Sequence, residues 1–279
     1  TTESRVQRWK SIRKIAQIAK RSDADIYHFH DLELLPVGVY LSQKTDAAVV
    51  YDVHEDFGHL ASMRDWIPKP LRPVLATTIP TFERICVRQL DAVVAVSDWI
   101  GEQFVGCIDQ IRTVHNFPQT ESMPDKDASI ESNSDCVLCY VGGLIDVRGI
   151  HRMLEVLNHL VECGVDAELW ALGSWMPDAD RERAQEYIRN NDLKSRVRFP
   201  GYVSRKEMFR YLFSADIGLA LLDTEHYTHG IPTKVFEYLY AGLPVVITPI
   251  DAVGPYLPEE YTSVVPQGDT EAAATAVKQ

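Results

Sequence analysis

The chain has 279 residues, 46% of them hydrophobic, which is enough to fill two domain cores. A net charge of −12 argues against nucleic acid as a general partner, no apolar run reaches the length of a membrane-spanning helix, and five cysteines without framework spacing point to a reducing compartment. The charge is uneven: residues 1–118 carry 14 Lys and Arg against 15 Asp and Glu, and the remainder carries 14 against 25.

Residues 3–21 predict a basic amphipathic helix. Val6, Trp9, Ile12, Ile15, Ile18 and Ala19 recur at helical spacing, with Arg5, Arg8, Lys10, Arg13, Lys14, Lys20 and Arg21 on the other faces. Such a stripe suits a helix packed on a sheet, and it also suits contact with anionic lipid head groups. DADIYHFHD then reads as a short strand ending in His28, His30 and Asp31, followed by an apolar helix over 32–42. AAVVYDVHEDF is a second buried strand, ending in His54, Glu55 and Asp56. Titratable residues at the carboxyl ends of parallel strands lie where open α/β sheets keep their ligands. Asp31 and Asp56 are expected to cap helices, whereas His54 is expected to face a ligand. A proline-rich turn and a helix reaching Leu90 follow, then DAVVAVSDWI, a strand with Ser97 as N-cap of the next helix, and IRTVHNFP. Residues 119–135 have a linker's composition, so the expected domains are 1–118 and 136–279.

The second half restarts the alternation. CVLCYVGG is a strand running into a glycine turn, residues 144–148 form a loop, and 149–163 an amphipathic helix. Cys136 and Cys139 sit three apart on a strand and so face opposite sides, which makes them two small hydrophobes rather than a redox pair or zinc half-site. AELWALG, VRFPGYV, DIGLALL and PVVITPI supply further strands, with helices near 177–191, 204–214 and 232–242. This rhythm predicts an α/β fold of two Rossmann-type, doubly wound parallel sheets. Right-handed crossovers then set Gly142, Gly143, Gly173, the turn at Val203 and the start of the last of these helices along one sheet edge. That helix begins in GIPTKVFEYLYAGLPVV: Pro232 suits a first turn, Thr233 and Lys234 sit at a terminus that favours phosphate, and Glu237 shares a face with Lys234.

The order V-G-G-L-x-x-x-R-G-I, L-G, F-x-G-Y-V and P-T-K-V-F-E, after V-H-E, A-V-S and H-N-F-P in the first half, resembles glycosyltransferase family 4 and its GT-B relatives. The resemblance covers most of the chain and implies two domains facing a cleft. It implies that Gly142 and Gly143 approach the donor phosphates, that Arg148 and Lys234 neutralise the diphosphate, that Glu237 holds the ribose, and that His54 reaches the donor sugar. Where relatives often place arginine this chain has Gly143, and the first glutamate of the E-x-x-x-x-x-x-x-E pair falls at His229. His30, Asp31, Glu55 and His229 are candidate contacts to sugar or acceptor, with Glu225, His226 and Tyr227 as substitutes near the donor. The resemblance further implies that acceptor-side segments at both ends lie outside these 279 residues.

The expected reaction is transfer of a sugar from a nucleoside diphosphate sugar to an acceptor hydroxyl, the acceptor being a sugar or lipid-linked. Retention of configuration follows from the resemblance alone; an inverting enzyme would need a base, and Glu55 or Asp31 would be the candidates. No D-x-D stands in a convincing loop, since Asp178 and Asp180 read as a helix start, so no metal and no cofactor are expected. The expected setting is cytoplasmic, with membrane contact through residues 3–21, in polysaccharide or glycoconjugate assembly. A GT-B-fold nucleotide-sugar epimerase and a non-catalytic nucleotide-sugar binder remain alternatives. A dehydrogenase is weakest, because no G-x-G-x-x-G follows a strand.

Overall fold

The computed structural model describes residues 5–64, 67–118, 130–176, 178–227 and 230–279, with side chains from Ser11 onward. His229, one of the candidate contacts, and most of the linker lie outside the described residues. The chain divides into two units, Thr1–Asn116 and Phe117–Gln279.

In the first unit β1 (Ile26–His30), β2 (Ala48–Val53), β3 (Ala92–Ala95) and β4 (Ile111–Thr113) form an all-parallel sheet in that order. Helices α1 (Arg5–Arg21), α2 (Leu35–Lys44), α3 (Phe57–Met63), α4 (Arg72–Val87) and α5 (Asp98–Glu102) connect them. Ser97 caps α5 as expected, accepting from the Ile100 amide at 3.3 Å, and Asp56 caps α3 by accepting from His59 N at 2.9 Å. Asp31 does not cap: its side chain makes no such bond, and its backbone sits at φ 82°. The α1 stripe also divides. Ile12, Ala16 and Ala19 pack on the core, while Ile15 and Ile18 stay exposed. The spacing counted all of them on one side, but α1 packs chiefly along α2, and so broad a stripe is only partly covered.

The second unit is a six-stranded parallel sheet of β5 (Cys136–Val141), β6 (Ala167–Leu172), β7 (Val197–Gly201), β8 (Ile217–Ala220), β9 (Val245–Ile247) and β10 (Thr262–Val264). Their spatial order is β10-β9-β8-β5-β6-β7, so the chain reverses its direction of winding beside β5. Helices α6 (Ile150–Glu162), α7 (Asp178–Asn190), α8 (Arg205–Leu212), α9 (Thr224–Tyr227), α10 (Lys234–Tyr240) and α11 (Thr270–Val277) complete it. Two buried clusters lie on the opposite faces, one built on Leu138, Tyr140 and α6, the other on Val137, Cys139, Trp170 and Tyr238. Cys136 and Cys139 thus fall into separate layers, and burial holds both thiols well above the normal range, Cys136 at about 11. Residues 130–135, expected in the linker, belong to this unit: Ile130 N donates to Ser214 Oγ at 2.8 Å, and Ser132 Oγ donates to Glu168 at 2.9 Å.

One buried acid marks the first unit's core. Glu83 accepts a hydrogen bond from the Tyr51 hydroxyl at 2.9 Å, and burial pushes its carboxyl up to about 7. A raised carboxyl pKa contributes stability that is present below the ordinary carboxylate range and lost as pH rises through 7. Glu83→Gln keeps the acceptor and removes the charge. We expect its melting temperature to exceed that of the parent by a margin that grows between pH 5 and pH 8; a constant margin in thermal scans would show that Glu83 does not titrate there.

Candidate functional site

The reversal beside β5 sets the place where an open parallel sheet binds ligands, and the chain furnishes it with glycine. At the end of β5, Gly142 takes φ 141° and donates to Leu172 O at 2.9 Å; at the end of β6, Gly173 takes φ 147° and donates to Gly201 O at 2.9 Å. A Cβ on Gly173 would lie 1.8 Å from the Gly142 carbonyl oxygen, so only glycine lets the two strand ends touch. Past Leu144, a single 3₁₀ turn at Asp146–Arg148 leads to Gly149 at φ 86°, where a Cβ would meet Leu221 O at 2.0 Å. The tight turn throws Arg148 back over the glycines, its Nη1 3.2 Å from where a Gly143 Cβ would stand. Its Nε donates to the Tyr227 hydroxyl at 2.8 Å, which fixes the guanidinium.

Lys234 comes to the same place from below. Its ammonium donates to the Tyr140 hydroxyl at 3.1 Å, lies 4.2 Å from the centre of that ring, and is 2.9 Å from the position of a Gly142 Cβ. The Tyr140 hydroxyl in turn donates to Gly143 O at 3.0 Å. Burial first, and then the charge of Arg148, pull the Lys234 pKa down to about 7, with Glu237 opposing. Two cations thus converge behind a turn of two glycines, with no carboxylate paired to either by an ion pair among the described residues.

A cavity of about 470 Å³ opens over this turn. Gly142, Gly143, Arg148, Gly173 and Glu237 form its polar side, and Leu172, Met176, Tyr202, Val203 and Met208 its apolar side. Burial raises the Glu237 carboxyl, opposed by Arg205, whose Nη2 lies 3.8 Å from Glu237 Oε1. Pro232, Thr233 and Lys234 do not line the cavity, Lys234 standing instead against Tyr140 and the Gly142 turn, and the helix starts later than expected, at Lys234. Its first turn closes on itself: Val235 N donates to Pro232 O at 3.1 Å, and Phe236 N and Glu237 N both donate to Thr233 O. Three amides of the first turn are thus engaged, and the helix sets the Glu237 side chain in the cavity lining and the Lys234 ammonium against Tyr140. Arg205 and Tyr140 escaped the sequence reading, whereas Tyr227, expected as a substitute sugar contact, instead holds Arg148. Arg205 follows the Ser204 cap of α8, a position only the crossover brings to Glu237.

In the first unit, His54 follows β2 and its Nε2 lies 3.2 Å from Asp52 Oδ2, the oxygen that His28 Nε2 also approaches at 3.1 Å. The His30 and His54 rings meet edge to face with centroids 5.6 Å apart. Glu55 makes only a long contact of 3.9 Å with Arg64. Asp52 carried no role in the sequence reading. The pairs H-x-H and D-x-H were its signal, because alternate residues of neighbouring strands share a face.

Comparison with known proteins agrees with this geometry. Residues 135–279 match the family described as glycosyl transferases group 1, and residues 1–116 match the glycosyl transferase 4-like domain. WcaL of Salmonella typhimurium, a protein assigned to colanic acid biosynthesis as a glycosyltransferase, is 24% identical over 283 residues, covering 95% of this chain and 63% of its own length. The amylovoran biosynthesis glycosyltransferase AmsK of Erwinia amylovora is 30% identical over 138 residues, 48% of this chain and 33% of that protein. The chain therefore spans less than two thirds of these relatives. Among solved structures, sucrose-phosphate synthase of Thermosynechococcus elongatus superposes with a TM-score of 0.76 at 18% identity, over 100% of this chain and 70% of that one. HepE of Anabaena in complex with UDP superposes with a TM-score of 0.71 at 14% identity, over 96% and 71%.

The Gly142–Gly173 contact carries a test of its own. Gly173→Ala adds both the clash and the strained φ, and should destabilise by more than the roughly 1–3 kcal/mol of backbone strain alone. Gly268→Ala, at φ 80° with nothing within 4 Å, should cost only the strain. Equal midpoints in denaturant unfolding would contradict the close approach. Two parallel-sheet units of GT-B type, a glycine turn at the sheet's reversal and matches over both halves together place the chain in the glycosyl transferases group 1 family.

Proposed function

We propose that the protein transfers a sugar from a nucleoside diphosphate sugar to an acceptor hydroxyl in polysaccharide assembly. The observation that carries this reading is the convergence of Arg148 and Lys234 on the Gly142–Gly143 turn. A diphosphate set against that turn would bring its negative charge to two cations that make no ion pair with a carboxylate among the described residues. As the sugar leaves, charge builds on the same phosphate, so these groups stabilise the transition state more than the ground state. In this reading Glu237 holds the ribose, the apolar wall at Val203 and Tyr202 receives the base, and His54 reaches the donor sugar. Leaving-group charge is handled by side chains and amides, so the transfer needs neither metal nor cofactor, and it proceeds with retention. His30, Asp31 and Glu55 belong to the acceptor side. The basic helix α1 would hold the protein against anionic lipid head groups on the cytoplasmic face, where a lipid-linked acceptor is presented; among the described residues no helix is long and apolar enough to cross a membrane. HepE's complex with UDP and the assignments of WcaL to colanic acid biosynthesis and AmsK to amylovoran biosynthesis support the donor class and the setting.

Calorimetric titration with UDP-, GDP- and ADP-sugars, followed by a transfer and hydrolysis assay with and without chelator, tests this reading. Binding followed by turnover that survives chelation is expected; binding without turnover would make the chain a nucleotide-sugar binder, and turnover to an epimer without acceptor would make it an epimerase. Lys234→Ala should weaken donor binding by about 1.5–3 kcal/mol, the worth of a charged hydrogen bond. Unchanged affinity would remove the phosphate assignment. Glu237→Gln should weaken binding of the nucleoside diphosphate and leave the melting temperature in place.

The depressed Lys234 pKa also sets a pH dependence. Below about 7 the free protein already carries the ammonium; above it the lysine is neutral and must take up a proton to meet the diphosphate. Affinity for UDP-glucose, whose diphosphate does not titrate in this range, should fall from pH 7 to pH 9 by up to about tenfold per unit. In Lys234→Ala the dependence should flatten, and a parent profile equally flat would show that Lys234 is charged throughout.

A further inference from the structure

We propose that His30, Asp52 and His54 form a binding site for zinc on the first unit. The site is built by the sheet itself. In β1 and β2 alternate residues share a face, so His28 and His30 stand on one side and Phe29 on the other, as do Asp52 and His54 against Tyr51. Parallel pairing in register sets His30 directly beside Asp52 and Phe29 beside Tyr51. The two aromatic rings stack at 5.3 Å on the core side, and Tyr51 is fully buried. That packing anchors the backbone on which the opposite face carries its imidazoles and carboxylate.

The distances suit one ion. Each of the three side chains offers a ligand atom, and these atoms lie within 4.8 Å of one another. Zinc bonds of about 2.0–2.1 Å in a tetrahedron put neighbouring ligand atoms about 3.3 Å apart, and the centres of two bound imidazoles about 5 Å apart. Here His54 Nε2 and Asp52 Oδ2 are 3.2 Å apart, and the His30 and His54 ring centres 5.6 Å. Small rotations of half-exposed rings close the remaining difference. Asp52 is better held than the histidines, since only 16% of its side chain is exposed. His28 approaches the same carboxylate oxygen at 3.1 Å without joining the three, which is the position of an outer partner that orients a ligand. Three protein ligands leave a fourth position open.

Ligand type selects the ion. Two imidazoles and one carboxylate suit zinc and other borderline cations, whereas magnesium, a hard cation, asks for oxygen ligands. The alternative is a plain hydrogen-bonded cluster in which two histidines share a carboxylate, and such a cluster would show no preference for metal. The site is made by residues of the first unit and Arg148 and Lys234 belong to the second, so the leaving-group stabilisation proposed above calls on none of its three ligands. Occupation would engage His54, and the consequence for transfer rests on the role assigned to that residue above; metal binding itself does not.

The test is therefore a binding measurement on the tag-free chain. After chelator treatment, zinc chloride is titrated against a competing chromophoric chelator, with the parent, His30→Ala and Asp52→Asn compared and their folding checked by circular dichroism. The chain has nine histidines, so weak extra binding is expected, and the comparison decides. One tight equivalent in the parent, weakened at least about tenfold in both variants, is expected, with a smaller loss in His28→Ala. Zinc binding unchanged in both variants, or displaced by millimolar magnesium, would overturn the site. A second readout needs no variant: cobalt(II) added to the parent should broaden the histidine-ring NMR signals of His30 and His54 first. Signals that broaden equally over all histidines would also overturn it.

Discussion

A lysine ammonium enclosed by a tyrosine ring and a glycine turn is the constraint on which the second unit depends. Water is largely excluded there, Arg148 adds a second positive charge nearby, and the pKa of Lys234 falls to about 7. Folding alone has little reason to set two cations together in an acidic half of the chain. An anion would offset that cost: in the function proposed above, a diphosphate at the turn replaces the lost hydration with direct ionic hydrogen bonds. The glycines follow from the same requirement. Gly142 has no side chain to collide with Lys234, Gly173 has none to collide with Gly142, and Gly149 lets α6 begin against β8 with Arg148 turned inward.

Much of this was legible in the residues. Alternating buried strands and amphipathic helices specify parallel sheets whatever the later detail, and the glycine turn after β5 is visible because a strand that ends in two glycines can bring backbone close to a ligand. Ser97 was readable as a cap because its side chain acts on an amide only three residues away. Asp31 resembled it in the letters but not in conformation: its φ is positive, where Ser97 is extended, and its side chain makes no cap hydrogen bond. What could not be read were contacts made by crossovers. Tyr140 and Lys234 are 94 positions apart, and Arg148 and Tyr227 are 79 apart. The start of α10 was misplaced because Pro232 fits a first turn, while the chain uses the Pro232 carbonyl to close that turn instead. The β1 and β2 cluster was missed for a related reason: His30 and Asp52 become neighbours only through strand register.

The two units carry different chemistry. The second concentrates positive charge at one sheet edge of an otherwise acidic body, which suits a phosphorylated leaving group. The first sets three histidines around one carboxylate at the end of β2, a group suited to hydrogen bonding with hydroxyls and to borderline cations.

In the proposed function Lys234 is neutral in the free protein at alkaline pH and becomes charged when the diphosphate arrives. Calorimetry of UDP-glucose binding at pH 8, repeated in buffers of different ionisation enthalpy, counts the protons exchanged. The account predicts uptake of up to about one proton by the parent and none by Lys234→Ala. Binding with no proton uptake in the parent would contradict it.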